Sequence, residues 1–112
     1  MADADMLRRL ALALPGASEA PHFDRTAFRA RVIFATLAPD GQTANLKLTP
    51  EEQEFRCTLA PGAFAPTPDA WGRQGWTRAT LAALSEDELA AALEAAWKTA
   101  QAKPPKKPRK RT

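Results

Sequence analysis

Leu7, Leu10, Ala11 and Leu14 fall on one side of a 3.6-residue period and predict a first helix. Asp3 or Asp5 caps its start, and Pro15 with Gly16 ends it. After "ASEAPHFD", the segment "TAFRARVIFATL" concentrates β-branched and aromatic residues. It is long for one strand and reads as two strands divided near residue 31. "APDG" supplies a turn through Pro39, Asp40 and Gly41. "QTANLKL" then alternates, with Ala44, Leu46 and Leu48 on one face and Thr43, Asn45 and Lys47 on the other.

"TPEE" announces a second helix: Thr49 is the N-cap, Pro50 takes the first helical position, and Glu52 completes a capping box. That helix runs to about Ala60, where "PG" stops it. "AFAPTPDAWGRQGW" has room for only a short strand among its turn-forming residues. "GWTRATL" reads as a further strand, with Thr77, Ala79 and Leu81 on one face and Trp76, Arg78 and Thr80 on the other. In the last helix Ser85 and Glu88 form another capping box, and Leu89, Ala92, Leu93, Ala96, Trp97 and Ala100 make one apolar stripe. Trp97 is thereby expected in the core. The order is helix, three strands, helix, two strands, helix, which predicts a two-layer α+β domain with helices packed on one face of an antiparallel sheet.

At 112 residues the chain suits a single domain, expected over residues 1–101. No apolar run approaches the roughly 20 residues of a membrane-spanning helix, and the acidic start is unlike a signal peptide, so a cytoplasmic protein without membrane contact is expected. Cys57 stands without a second cysteine for a disulfide or zinc site and reads as a small, partly buried apolar residue. The net charge of +3 conceals an asymmetry: "KPPKKPRKRT" at the C-terminus carries six of the sixteen Lys and Arg and no acid. The body is therefore mildly acidic. Residues 102–112 are expected to be a disordered basic tail, because the prolines deny a helix and the like charges repel.

Taken together, "LALALPG" with Glu19, "FRARVIFATL", "NLKLTPEEQ", "WGRQGWTRATLAAL" and "DELAAALEAAW" resemble the MmcQ/YjbR family of small bacterial proteins over roughly residues 4–100. The resemblance implies an α-β(3)-α-β(2)-α arrangement similar to type III secretion chaperones, in agreement with the order read from the residues. It also implies DNA binding through a proposed double-wing motif. This chain departs from the family's usual hairpin, where "GK" or a similar turn precedes the second strand: here Arg31 runs directly into Val32.

Candidate chemistry is sparse. His22 precedes Asp24 by two residues in "PHFD", but no Ser or Cys joins them by motif, and a locally bonded hairpin-edge histidine is the simpler reading. Glu51, Glu52 and Glu54, and Glu86, Asp87 and Glu88, cluster at helix starts, where they complement the helix dipole. Nucleotide-binding glycine loops and zincin motifs do not occur. A non-enzymatic protein without cofactor or metal is expected.

Two features suit nucleic acid. Lys103, Lys106, Lys107, Arg109, Lys110 and Arg111 of the tail would neutralise phosphates without reading sequence. On the polar side of the sheet, Arg29, Arg31, Lys47, Trp76 and Arg78 interleave cations with an aromatic ring, as in proteins that track single strands. Arg73 and Gln74 lie between the glycines of "AWGRQGW", where one of Trp71 and Trp76 is expected to clamp the loop and the other to face solvent. The expected partner is DNA, held by weak and largely sequence-independent contacts, with the chain a monomer or weak homodimer. Two alternatives stand beside it: a protein-interaction module of chaperone-like topology, and a small-molecule binder at the Trp71 to Trp76 loop.

Overall fold

The structure is a computed structural model and describes residues 1–102. Asp3 accepts a hydrogen bond from the Met6 amide at 2.9 Å and so opens α1 (Ala4–Leu12), which buries Leu7 and Ala11. Four strands follow: β1 (Ser18–His22), β2 (Arg25–Ala30), β3 (Val32–Leu37) and β4 (Thr43–Lys47). Next come α2 (Pro50–Leu59), β5 (Phe64–Pro66), the four-residue α3 (Ala70–Arg73), β6 (Trp76–Thr80), a 3-10 turn at Leu81–Ala83, and α4 (Glu86–Ala102). The strands form one antiparallel sheet in the order β1-β2-β3-β4-β6-β5. The fold is α+β, as the sequence pattern predicts.

The expected three strands before α2 become four. All five residues of β1 are exposed, so neither face carries an apolar alternation that would betray a strand. Its Pro21 is tolerated because β1 is an edge strand. The helix α3 is likewise additional, a single turn capped by Asp69.

Phe28, Ala35, Leu46 and Thr77 are successive partners across β2, β3, β4 and β6, and all four are buried. A register shift between Phe28 and Arg29 lets the consecutive Phe34 and Ala35 both be buried. Against this face α4 sets Leu89, Ala92, Leu93, Ala96 and Ala100, and α1 packs on α4. Trp97 is a correction: it is only half-buried at the margin of the core, where its indole Nε1 donates to the Pro15 carbonyl at 2.9 Å.

The two capping boxes differ. Ser85 Oγ accepts from the Glu88 amide at 3.1 Å and Glu88 Oε1 accepts from the Ser85 amide at 2.8 Å, so that box closes both ways. Thr49 Oγ1 accepts from the Glu52 amide at 3.1 Å, but the Glu52 carboxylate turns to Arg56 at 3.0 Å instead. Ser85→Ala is expected to lower stability by about 1 kcal/mol in urea unfolding, the ordinary worth of an N-cap.

Arg31 forms the entire connection between β2 and β3 and takes a left-handed backbone, φ 84°. It is therefore a turn residue and not a member of the polar sheet face, which corrects its expected place. Its guanidinium donates to the Gln101 backbone carbonyl at 3.2 Å, while the Gln101 side-chain Nε2 donates to the Ala30 carbonyl at 2.9 Å. The last turn of α4 is thus latched to this end of the sheet. α4 runs to Ala102, the last of the described residues, and residues 103–112 of the expected tail lie outside them.

Candidate functional site

Alternation along the strands sends the other half of the side chains to the face turned away from α1 and α4. There Thr36, Asn45 and Arg78 are cross-strand neighbours, and Lys47 stands opposite Trp76. Arg25 and Arg29 occupy the same side of β2, with Arg29 opposite Ser18 and Ile33. The expected set Arg29, Lys47, Trp76 and Arg78 is brought together on one face, with Arg29 and Arg78 exposed.

A trough of about 400 Å³ opens on this face. Ile33, Thr36 and Asn45 contribute from the central strands. Trp71, Trp76, Thr67 and Asp69 come from α3 and its flanks, and His22, Phe23 and Arg25 from the β1–β2 turn. Phe23 is 93% exposed and Trp71 58% exposed, whereas Trp76 is half-buried. The expected division of labour between the two indoles holds, with Trp76 packing and Trp71 open to solvent.

Arg25 lies along the sheet: Nε donates to Thr36 Oγ1 at 2.9 Å and a terminal nitrogen to the Thr36 carbonyl at 3.4 Å. Burial lowers its pKa, Asp24 and Asp40 oppose that shift, and the nearby charge of Arg78 adds to it. It remains a cation at any ordinary pH. Arg25 and Arg78 thus stand near one another beside the trough, with the carboxylates of Asp24 and Asp40 close to Arg25 and that of Asp69 in the trough wall.

The wall carrying Trp71 is built rather than loose. Asp69 Oδ1 accepts from the Trp71 amide at 3.1 Å and from Thr67 Oγ1 at 3.3 Å. Gln53 of α2 sends its side-chain amide to the Gly72 carbonyl at 2.9 Å and to the Trp76 carbonyl at 3.0 Å. Lys47 Nζ donates to the Gln74 carbonyl at 2.6 Å. Both glycines of the loop are structural: a Cβ on Gly72 would strike the Thr67 carbonyl oxygen, and one on Gly75, at φ 108°, the Leu48 carbonyl oxygen. The glycines of "AWGRQGW" therefore serve close backbone approach, not flexibility.

Among the described residues of the expected set, Trp76 lines the trough, whereas Arg29, Lys47 and Arg78 share its face without lining it. Arg73 and Gln74 are exposed at the end of α3 and do not line it. The six tail cations lie outside the described residues. Arg25 escapes the sequence reading because the β-rich segment "TAFRARVIFATL" begins at Thr26; alternation back from Arg29, four residues on, places Arg25 on the same face. Phe23 gave no signal, since a left-handed phenylalanine (φ 59°) at a hairpin tip follows no propensity rule. His22 sits at the hairpin edge with its ring 4.8 Å from that of Phe23, edge-on. Cys57 is half-buried, and burial pushes its thiol pKa up, away from the reactive thiolate. Among the described residues no helix is long and apolar enough to cross a membrane.

The architecture defines a two-layer α+β domain that covers one sheet face with helices and leaves cations and aromatic rings on the other. The family model described as YjbR matches residues 12–99. The chain belongs to the YjbR family. Among solved structures it is similar to the crystal structure of Deinococcus radiodurans protein DR2400, described with the family-model domain DUF419. The TM-score is 0.77 at 22% identity, over 92% of this chain and 81% of that one. At that identity the likeness shows the fold alone, and a fold does not fix a function. No curated protein matches the chain.

Proposed function

We propose that the chain is a nucleic-acid-binding protein, non-enzymatic, that holds DNA weakly and largely without regard to sequence through the open face of its sheet. The observation that carries this reading is the grouping of Arg25, Arg29, Lys47 and Arg78 with the rings of Phe23, Trp71 and Trp76 on the face away from the helices. Cations neutralise phosphates while exposed rings accept bases, and neither task demands a catalytic group. The DNA-binding role implied by resemblance to the YjbR family points the same way. Lys103, Lys106, Lys107, Arg109, Lys110 and Arg111 of the C-terminal sequence would add phosphate contacts without specificity.

Fluorescence anisotropy with single-stranded and duplex DNA, at low and physiological salt, with and without residues 103–112, tests it. With about four phosphates neutralised by the sheet face, the salt slope of the shortened chain on single strands is expected near −3, and steeper with the tail present. Absence of binding by both forms at low salt would end the reading.

A second reading, a protein-interaction module, is favoured by α2, where Phe55 and Leu59 are 55% and 67% exposed beside Glu51 and Glu54. Light-scattering mass and pull-down from the source cell separate it: a stable partner that Phe55→Ser releases, with DNA binding absent, would favour this module.

A further inference from the structure

We propose that the trough is a single-base pocket, taking one unpaired, planar nitrogen heterocycle together with its attached phosphate. The inference deepens the nucleic-acid reading and rests on it for the strand as the source of that base, whereas the pocket chemistry serves a free nucleotide equally.

Folding alone does not account for the rings around the trough. Phe23 stands almost wholly in water on a left-handed backbone, unfavourable on both counts for a bulky apolar residue. Trp71 is also mostly exposed, yet its backbone is held by the Asp69 cap and by the Gln53 bond to the adjoining Gly72 carbonyl. An exposed ring on a fixed backbone gives up little conformational freedom when something stacks on it. Phe23 and Trp71, exposed rings from separate elements, border the same depression.

The central strands supply what a base and its phosphate require. The Asn45 side-chain amide, half-buried between Thr36 and Arg78 on the ladder, makes no hydrogen bond among the described residues and offers both donors and an acceptor. Thr36 Oγ1 accepts from Arg25 and keeps its proton to donate. Arg25, anchored through two nitrogens, keeps part of its fork for an oxyanion. A purely aliphatic ligand would bury these groups without partners. The volume, about 400 Å³, falls within the range of roughly 300–1,000 Å³ usual for small-ligand sites. Bases in a duplex show only their edges, and a flat ring reaches Trp71 only if unpaired or flipped.

The test measures anisotropy of the full chain with a labelled oligothymidylate, with a strand of equal length carrying abasic sites throughout, and with duplex. Indole fluorescence follows free thymidine 5′-monophosphate in parallel. Abasic strands keep the phosphates, so the comparison isolates the base. The oligothymidylate is expected to bind about tenfold or more tightly than its abasic counterpart, the usual worth of base stacking on an aromatic ring. That preference should shrink in Trp71→Ala and in Phe23→Gly, the second of which removes an exposed ring and relaxes its backbone without threatening the fold. Equal binding of the abasic strand, or variants that retain the full preference, would overturn the pocket even if DNA binding persists. If no strand binds but the monophosphate quenches indole emission in the wild type and not in Trp71→Ala, the sheet-wide reading fails and the pocket stands, with a free nucleotide as its source.

Discussion

Gly75→Ala is expected to destabilise the domain by about 3 kcal/mol and to lower its melting temperature by more than about ten degrees, in thermal unfolding followed by circular dichroism. Two costs combine at this position. Its φ of 108° is a backbone conformation that side-chain-bearing residues rarely adopt. The added methyl would also be driven into the Leu48 carbonyl, so β4 and the loop entering β6 would have to separate. That separation would strain the bond from the Leu48 amide to the Gly75 carbonyl, 3.1 Å, and the bond from Thr77 Oγ1 to the same carbonyl, 2.9 Å, in the buried interior. Gly62→Ala is the control: it has open space around it and no left-handed backbone, and its melting temperature should stay within a few degrees of the wild type. A Gly75 variant that melts with that control would show that the loop yields easily.

Reversing two charges, Arg29→Glu with Arg78→Glu, is expected to weaken single-stranded DNA binding by about a hundredfold at low salt, since each change removes a neutralising contact and adds a repulsive one. Both side chains are exposed, and neither has a hydrogen bond or ion pair among the described residues, so folding should be untouched. Arg8→Glu with Arg9→Glu changes the net charge equally on α1, across the molecule from the open face, where the two arginines pair with Glu19 and Glu86. A similar loss in that variant would mean that overall charge, not the sheet face, governs binding. The reversed sheet variant should also show a flatter salt dependence, because fewer counterions are released.

Much of the fold is legible in the sequence because α4, β4 and β6 each bury one face fully and leave the other at least partly open, so their periods are written in Leu89 to Ala100, Ala44 to Leu48 and Thr77 to Leu81. The split near residue 31 is legible from length alone, although the turn that makes it has no glycine and uses Arg31 in a left-handed conformation. β1 is hidden because an edge strand exposed on both faces leaves no alternation to read. The cationic part of the site was visible in Arg29, Lys47 and Arg78, which follow strand parity. Its apolar part was only half visible: Trp71 and Trp76 are conspicuous by type, whereas Phe23 joins them through a three-dimensional neighbourhood that local spacing does not encode.

The two hydrogen bonds from the Gln53 side-chain amide tie α2 to the segment on the open face. One α2 side chain grips two carbonyls of the segment that presents Trp71 and Trp76, which gives a physical route by which the stability of that helix and the proposed occupancy of the open face would be linked. A ligand that holds Trp71 in place is expected to slow the fraying of α2, and a partner docked on α2 is then expected to alter affinity at the open face by the same factor. Amide exchange in the first two turns of α2, measured with the face empty and filled, is where that reciprocity can be read.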